Sequence, residues 1–120
     1  MMGSNIDIES ESQGDIRVIK LKGRIDHMTA PSAEEYLKKF LLKGNKKVIL
    51  DLAELHYISS VGLRVLVMFS DKIQAVEGKL ALCSPRPNIS NLLKMTKFDE
   101  LFLIFDTEKD ALHALSDTAP

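Results

Sequence analysis

From residue 31 onward, short apolar runs alternate with segments of helical periodicity, and this alternation constrains the fold more than any other feature. A helix after each buried strand predicts parallel strands joined by right-handed crossovers. Two strands come first, "NIDIES" and "IRVIKLKG", with Gly14 in the turn between them. The predicted order is β-β-α-β-α-β-α-β-α, an α/β sandwich with a mixed sheet of about five strands and about four helices.

The same pattern predicts where individual elements lie. Helices are expected over residues 31–42 and 61–76, where the apolar positions repeat with helical spacing. The apolar run at residues 47–52 predicts a central strand that is covered on both faces. Asn88 and Thr107 are predicted to be the N-caps of the last two helices, because their side chains can accept a hydrogen bond from a first-turn amide.

Length and composition limit the classes of function. The 120 residues predict one domain, with an ordered core from about residue 6 to about residue 115. A net charge of −1 gives no general attraction to nucleic acid or to an anionic membrane. No apolar run approaches the ~18 residues of a membrane-spanning helix, so no membrane insertion is expected. The single cysteine, Cys83, fits a reducing cytoplasm, and its apolar setting predicts an inert thiol.

The sequence "HYISSVGLRV" places two serines and a glycine between a strand and an apolar helix; residues 59–62 are called the serine corner below. The simplest interpretation is that Ser59 or Ser60 caps the helix. A helix start also favours an anion such as a phosphate. Gly62 costs the helix about 1 kcal/mol relative to alanine, which suggests a close approach to the backbone. The run from Val61 to Phe69 is too apolar for one buried stripe, so an exposed partner surface is expected.

A hydrolase is a poor fit to this segment. Asp51, His56 and Ser60 lie close in sequence, but Ile58 stands where a nucleophile elbow requires its first glycine. Triad members also usually come from distant segments of the chain. The protein is therefore expected to be a binding module and not an enzyme.

Metal, nucleic-acid and nucleotide sites are also disfavoured. The three histidines stand alone, without the spacing of a metal site: His27, His56 and His113. Five lysines cluster around the end of the first predicted helix: Lys38, Lys39, Lys43, Lys46 and Lys47. No aromatic residues interleave with these lysines, so a solvated face is favoured over direct nucleic-acid binding. The chain contains no glycine-rich phosphate loop, and no cofactor is expected.

Three segments, in order, resemble the STAS domain, the fold shared by anti-sigma factor antagonists and the cytoplasmic tails of sulphate transporters. "LKGRIDHMTAP" is similar to the family's Gly-x-Leu/Ile-Asp-x-x-Thr/Asn-Ala stretch. "VILDLAELHYISSVGLRVL" is similar to its signature around Asp/Ser-Ser-x-Gly-Leu, and "FDELFLIFDTEKDAL" resembles the usual tail of the bacterial antagonists. The resemblance runs from about Ile6 to Leu115.

The resemblance implies specific site residues. The phosphorylated residue of the free-standing antagonists lies two places before the glycine, which is Ser60 in this chain. Ser59 stands where many members carry aspartate and is a rival acceptor. Asp26 matches an aspartate that contacts the kinase; we expect it to be exposed, so that Asp26→Ala changes stability by less than about 1 kcal/mol. The implied partner-binding residues are Asp26, Thr29, Ser59, Val61, Gly62, Leu63 and Val65.

The resemblance also implies the partners. These are a serine kinase that acts as an anti-sigma factor and a metal-dependent phosphatase that removes the phosphate. The unphosphorylated protein would bind the kinase and free the sigma factor, as a monomer or weak dimer. Two alternatives remain open: a non-phosphorylated STAS scaffold subunit of a lipid-transport or stress-sensing complex, and a small-ligand sensor. Intact mass after incubation with a kinase would test the first, and thermal shift against nucleotides and lipids would test the second.

Overall fold

A computed structural model describes residues 6–116, which form a six-stranded mixed sheet with four α-helices. The strands are β1 (Ile6–Gln13), β2 (Ile16–Ile25), β3 (Lys47–Asp51), β4 (Leu55–Ile58), β5 (Lys79–Cys83) and β6 (Leu103–Phe105). The helices are α1 (Ala30–Leu42), α2 (Ser60–Ala75), α3 (Pro87–Met95) and α4 (Glu108–Leu115), with a short 3₁₀ turn at Phe98–Glu100. The predicted α/β class is confirmed. Within residues 6–116, no helix has the length and apolar content needed to cross a membrane.

The strand order is β1-β2-β3-β5-β6, and β4 pairs with the second half of β2. β1 runs antiparallel to β2, and the other pairings are parallel. The sheet therefore has one strand more than the pattern predicted. β4 was missed because its middle residues, His56 and Tyr57, are both exposed, so the segment does not alternate. It joins β2 only after an irregularity between Gly23 and Arg24.

The central position of β3 is confirmed, since β2 and β5 pair with its two sides. Val48 and Leu50 point into the larger core, which α1, α2 and α3 cover. Ile49 points to the opposite face, where it packs with Ala111 and Leu115 of α4. Both faces of the strand are therefore shielded from water, as its continuous apolar run predicted.

The helix caps agree with the prediction at one of two positions. The Thr107 hydroxyl accepts a hydrogen bond from a first-turn amide of α4 at 3.1 Å, which confirms its predicted role. The prediction for Asn88 is wrong: α3 begins at Pro87, and Arg86 is the N-cap. Proline suits the first helical position because its fixed φ and missing N–H are compatible with a helix start. The Asn88 side-chain amide instead donates to the His56 carbonyl at 2.9 Å and ties α3 to β4.

Candidate functional site

Strand pairing brings two loop segments together at the serine corner. The last residues of β2 and β4, Ile25 and Ile58, are partners in the parallel ladder. The pairing continues one step further, because the Ser59 backbone N–H donates to the Ile25 carbonyl at 2.9 Å. Residues 26–29, which follow β2, consequently lie beside residues 59–62, which follow β4. The sequence places these two segments about 30 residues apart, and only the sheet joins them.

The structure distinguishes the two serines. Ser59 is the N-cap of α2: its backbone is extended, and its Oγ accepts a hydrogen bond from the Gly62 N–H at 3.2 Å. This side chain is half-buried. Ser60 is the first residue of α2 and is exposed. Within residues 6–116 no hydrogen bond involves its hydroxyl, so Ser60 presents the more accessible oxygen.

Gly62 is explained by packing within the protein. A Cβ at this position would lie 2.7 Å from Ile58 Cγ1 and 2.8 Å from Ile25 Cγ2. Real Cβ atoms essentially never approach other atoms this closely. The close approach expected from the sequence does exist, and it involves the ends of β2 and β4.

Most apolar residues of α2 lie in the core. Leu63 and Val65 are 3% and 5% exposed, because α2 packs against both the sheet and α1. Among the apolar residues of the first two turns, only Val61 is exposed, at 38%. The exposed apolar surface expected on this helix is therefore limited, in its first two turns, mainly to Val61. Direct contact of Gly62, Leu63 and Val65 with a partner is not supported, since all three are buried.

Asp26 is buried, which contradicts the predicted exposure. It is 6% exposed, and its Oδ1 accepts hydrogen bonds from the Met28 and Thr29 N–H groups at 2.9 and 3.1 Å. The Asp26 N–H donates in return to Thr29 Oγ1 at 2.9 Å, and that hydroxyl donates to the Arg24 carbonyl at 2.9 Å. Thr29 is also buried, at 4%. These reciprocal bonds organise the turn that begins α1, so both residues have a structural role.

Three residues that the sequence did not single out complete the surface around the corner. The Arg24 Nε donates to Asp26 Oδ2 at 3.0 Å, and its guanidinium lies 4.9 Å from the centre of the Tyr57 ring. Tyr57 is 44% exposed and Met28 is 65% exposed. Met28, Tyr57 and Val61 give the corner an apolar rim. Recognition of β4 would have identified Tyr57, since it belongs to the strand that ends at the serines.

Within residues 6–116, some side chains considered above for a triad or a basic surface have other partners. Asp51 Oδ1 accepts from the Ala53 N–H at 2.9 Å and forms no hydrogen bond with His56 or Ser60 within the described residues. No cluster of three metal-ligating side chains occurs within residues 6–116. Two of the five clustered lysines are paired: Lys38 with Glu34 at 3.3 Å, and Lys47 with Asp15 at 3.2 Å.

Two perturbed groups lie near the end of β3, where α4 covers the sheet. Burial, followed by the charge of Asp51, raises the pKa of the Cys83 thiol to about 12. Burial also raises the pKa of Glu108, and a hydrogen bond with Asp51 and the charge of Asp51 add to the effect. The raised pKa of Cys83 leaves it as an unreactive thiol.

The fold and the corner together define a STAS domain: the family model described as "STAS domain" matches residues 7–111, and the chain belongs to this family. BtrV of Bordetella bronchiseptica, described as a candidate anti-sigma factor antagonist, is 31% identical over 100 residues, which cover 83% of this chain and 86% of BtrV. The crystal structure of an anti-sigma factor antagonist from Mycobacterium paratuberculosis matches with a TM-score of 0.86 at 26% identity, over 94% of this chain and 96% of the other.

A third similar structure is that of the Bacillus cell fate determinant SpoIIAA in its phosphorylated form. It matches with a TM-score of 0.71 at 19% identity, over 92% of this chain and 100% of SpoIIAA. At this identity the likeness concerns the fold alone.

Proposed function

We propose that this protein is an anti-sigma factor antagonist whose binding to a serine-kinase anti-sigma factor is controlled by phosphorylation of Ser60. The observation that carries the proposal is the exposed Ser60 hydroxyl at the start of α2, beside a Ser59 hydroxyl already engaged by the Gly62 N–H. The descriptions of BtrV and of the Mycobacterium paratuberculosis protein as antagonists support the class of partner. SpoIIAA, which shares the fold, has a phosphorylated form, and this supports a fold that can carry a phosphate.

The modification is an ordinary phosphoryl transfer. The Ser60 oxygen attacks the γ-phosphorus of ATP held by the kinase, ADP leaves, and a base of the kinase takes the hydroxyl proton. The reverse change is hydrolysis by the metal-dependent phosphatase. Water attacks the phosphorus, the bond from phosphorus to the serine oxygen breaks, and inorganic phosphate leaves. This chain supplies only the Ser60 oxygen, which is the acceptor in the first step and the leaving group, taking up a proton, in the second; this fits a binding module.

The surface around Ser60 explains how the phosphate would control binding. Met28, Tyr57 and Val61 expose apolar surface that a partner can cover. A phosphate on Ser60 adds a charge of about −1.5 to −2 among these residues. In the free protein water solvates that charge, whereas a covering partner removes much of the water. A penalty of about 3 kcal/mol corresponds to a loss of affinity of roughly a hundredfold.

The experiment uses purified serine-kinase anti-sigma factors from the source organism, each incubated with this protein and ATP. We expect intact mass to show one added phosphoryl group and peptide mapping to place it on Ser60. Titration calorimetry should then show the phosphorylated protein binding its kinase about a hundredfold more weakly. Ser60→Ala should bind without regulation, and Ser60→Asp should bind more weakly than the unmodified protein.

Ser59→Ala is the matched control, since it removes a neighbouring hydroxyl. It should lose about 1 kcal/mol of stability with its helix cap and still accept phosphate. Phosphate on Ser59 in the native protein would move the site by one residue. If no kinase adds phosphate, the scaffold alternative is favoured. Equal affinity for the kinase before and after modification would refute the proposed switch, in which phosphate on Ser60 weakens kinase binding.

A further inference from the structure

Ser60 and Arg64 lie one helical turn apart on the solvent-exposed side of α2. Residues four positions apart on a helix have Cβ atoms about 5–6 Å from each other. Both side chains are exposed, as is that of Val61, whereas Gly62 and Leu63 are buried. The two exposed side chains therefore share one strip of the helix surface, and a long guanidinium side chain at position 64 can reach the oxygen at position 60.

Arg64 is not committed to a carboxylate. None of the ion pairs formed among residues 6–116 includes it. The first turn of α2 also contains no acidic residue. The other arginine of the corner, Arg24, is already held by Asp26 at 3.0 Å and stacks on Tyr57. Arg64 is thus the arginine of this surface that can turn toward a new anion.

We propose that Arg64 binds the phosphate of phosphorylated Ser60 in the unbound protein and is a positioning residue for the modified side chain. This inference rests on the proposed function, because it needs a phosphate at position 60. Two features favour the pair: an anion N-terminal to a cation at this spacing is the better orientation, and a guanidinium can donate two hydrogen bonds to one phosphate. A partner that covers this strip would break the pair, so the contact favours the free, phosphorylated state.

The test measures the phosphate directly and needs no kinase. Phosphoserine is incorporated at position 60 during translation, and the second ionisation of the phosphate is followed by phosphorus NMR as a function of pH. A guanidinium in contact with the phosphate stabilises the dianion, so it lowers this pKa. We expect the pKa in Arg64→Gln to lie about 0.3–0.5 units above that of the Arg64 protein, a two- to threefold change in the acid dissociation constant. Arg64→Lys should recover part of the shift.

Lys72→Gln is the matched control, since it removes the same charge from an exposed position on the same helix. It lies twelve residues from Ser60, about 18 Å along the helix axis, which is beyond the screening length of about 8 Å at physiological salt. This variant should leave the phosphate pKa unchanged. The corner's exposed histidines, His27 and His56, are the same in every variant, as are Arg24 and Asp26, so they do not affect the comparison.

Equal phosphate pKa values in the Arg64 and Arg64→Gln proteins would overturn the contact, as would equal shifts in Arg64→Gln and Lys72→Gln. The proposed function is tested separately by kinase affinity. If affinity is unchanged by the phosphate while the pKa still depends on Arg64, the switch fails and the contact stands. If affinity falls but the pKa does not depend on Arg64, the switch stands and the contact fails.

Discussion

Gly62→Ala tests whether the core of the protein, and not a partner, requires glycine at the serine corner. Two effects of opposite sign compete. Alanine favours the helix by about 1 kcal/mol relative to glycine. Against this, the new Cβ would lie 2.7 Å from Ile58 Cγ1 and 2.8 Å from Ile25 Cγ2. Overpacking of this kind costs about 1–3 kcal/mol.

The upper part of that range applies because neither neighbour can move easily. Ile25 and Ile58 are 0% and 3% exposed, and they are paired in the sheet. Both are β-branched, so few alternative rotamers are open to them. An overpacking cost of about 2–3 kcal/mol, less the helix gain of about 1, leaves a net destabilisation of about 1–2 kcal/mol.

The measurement is the free energy of unfolding from urea titration of the native protein and Gly62→Ala. A double-mutant cycle with Ile58→Ala, which removes one of the two colliding atoms, provides the control. In that background Gly62→Ala should be less destabilising by at least about 0.5 kcal/mol. A Gly62→Ala protein that is more stable than the native one by about 1 kcal/mol would show that only helix propensity acts here, and would refute the packing argument.

Three further predictions concern Asp26, Glu108 and Cys83. Asp26→Ala should destabilise the protein by about 2 kcal/mol in urea unfolding, because two amides at the start of α1 lose their acceptor. Asp26→Asn keeps an acceptor oxygen and should cost less. A loss of stability below about 0.5 kcal/mol for Asp26→Ala would contradict this role. Glu108→Gln should stabilise the protein at pH 7, because the raised pKa of Glu108 means that its ionised form opposes folding. The gain in stability should shrink as the pH falls toward about 4, where the carboxyl becomes protonated in the unfolded chain as well. A gain that is constant with pH would refute the raised pKa of Glu108 in the folded protein. Cys83, whose pKa is raised to about 12, should resist iodoacetamide at pH 8 in the folded protein and react once urea unfolds it.

The sequence by itself determined the elements whose pattern is local. Alternating apolar runs and helical segments predicted the mixed sheet, the central strand at residues 47–52, and the two helices that the structure places at Ala30–Leu42 and Ser60–Ala75. The Thr107 cap was also predictable, because a cap is an interaction between residues three apart. The three motifs of the STAS domain likewise lie in continuous stretches of sequence, and the family match to residues 7–111 agrees with them.

The tertiary structure alone decided what each residue of the site does. β4 forms because the second half of β2 can pair with a segment whose buried and exposed residues do not alternate. This pairing places Ile25 against Ile58. From that one contact follow the need for glycine at position 62 and the position of the loop after β2 beside the serines. The burial of Asp26 depends on the same corner, as do the roles of Ser59 as the helix cap and of Ser60 as the exposed hydroxyl. None of this could be predicted locally, because burial and close approach are set by residues about 30 positions apart that only the folded sheet brings together.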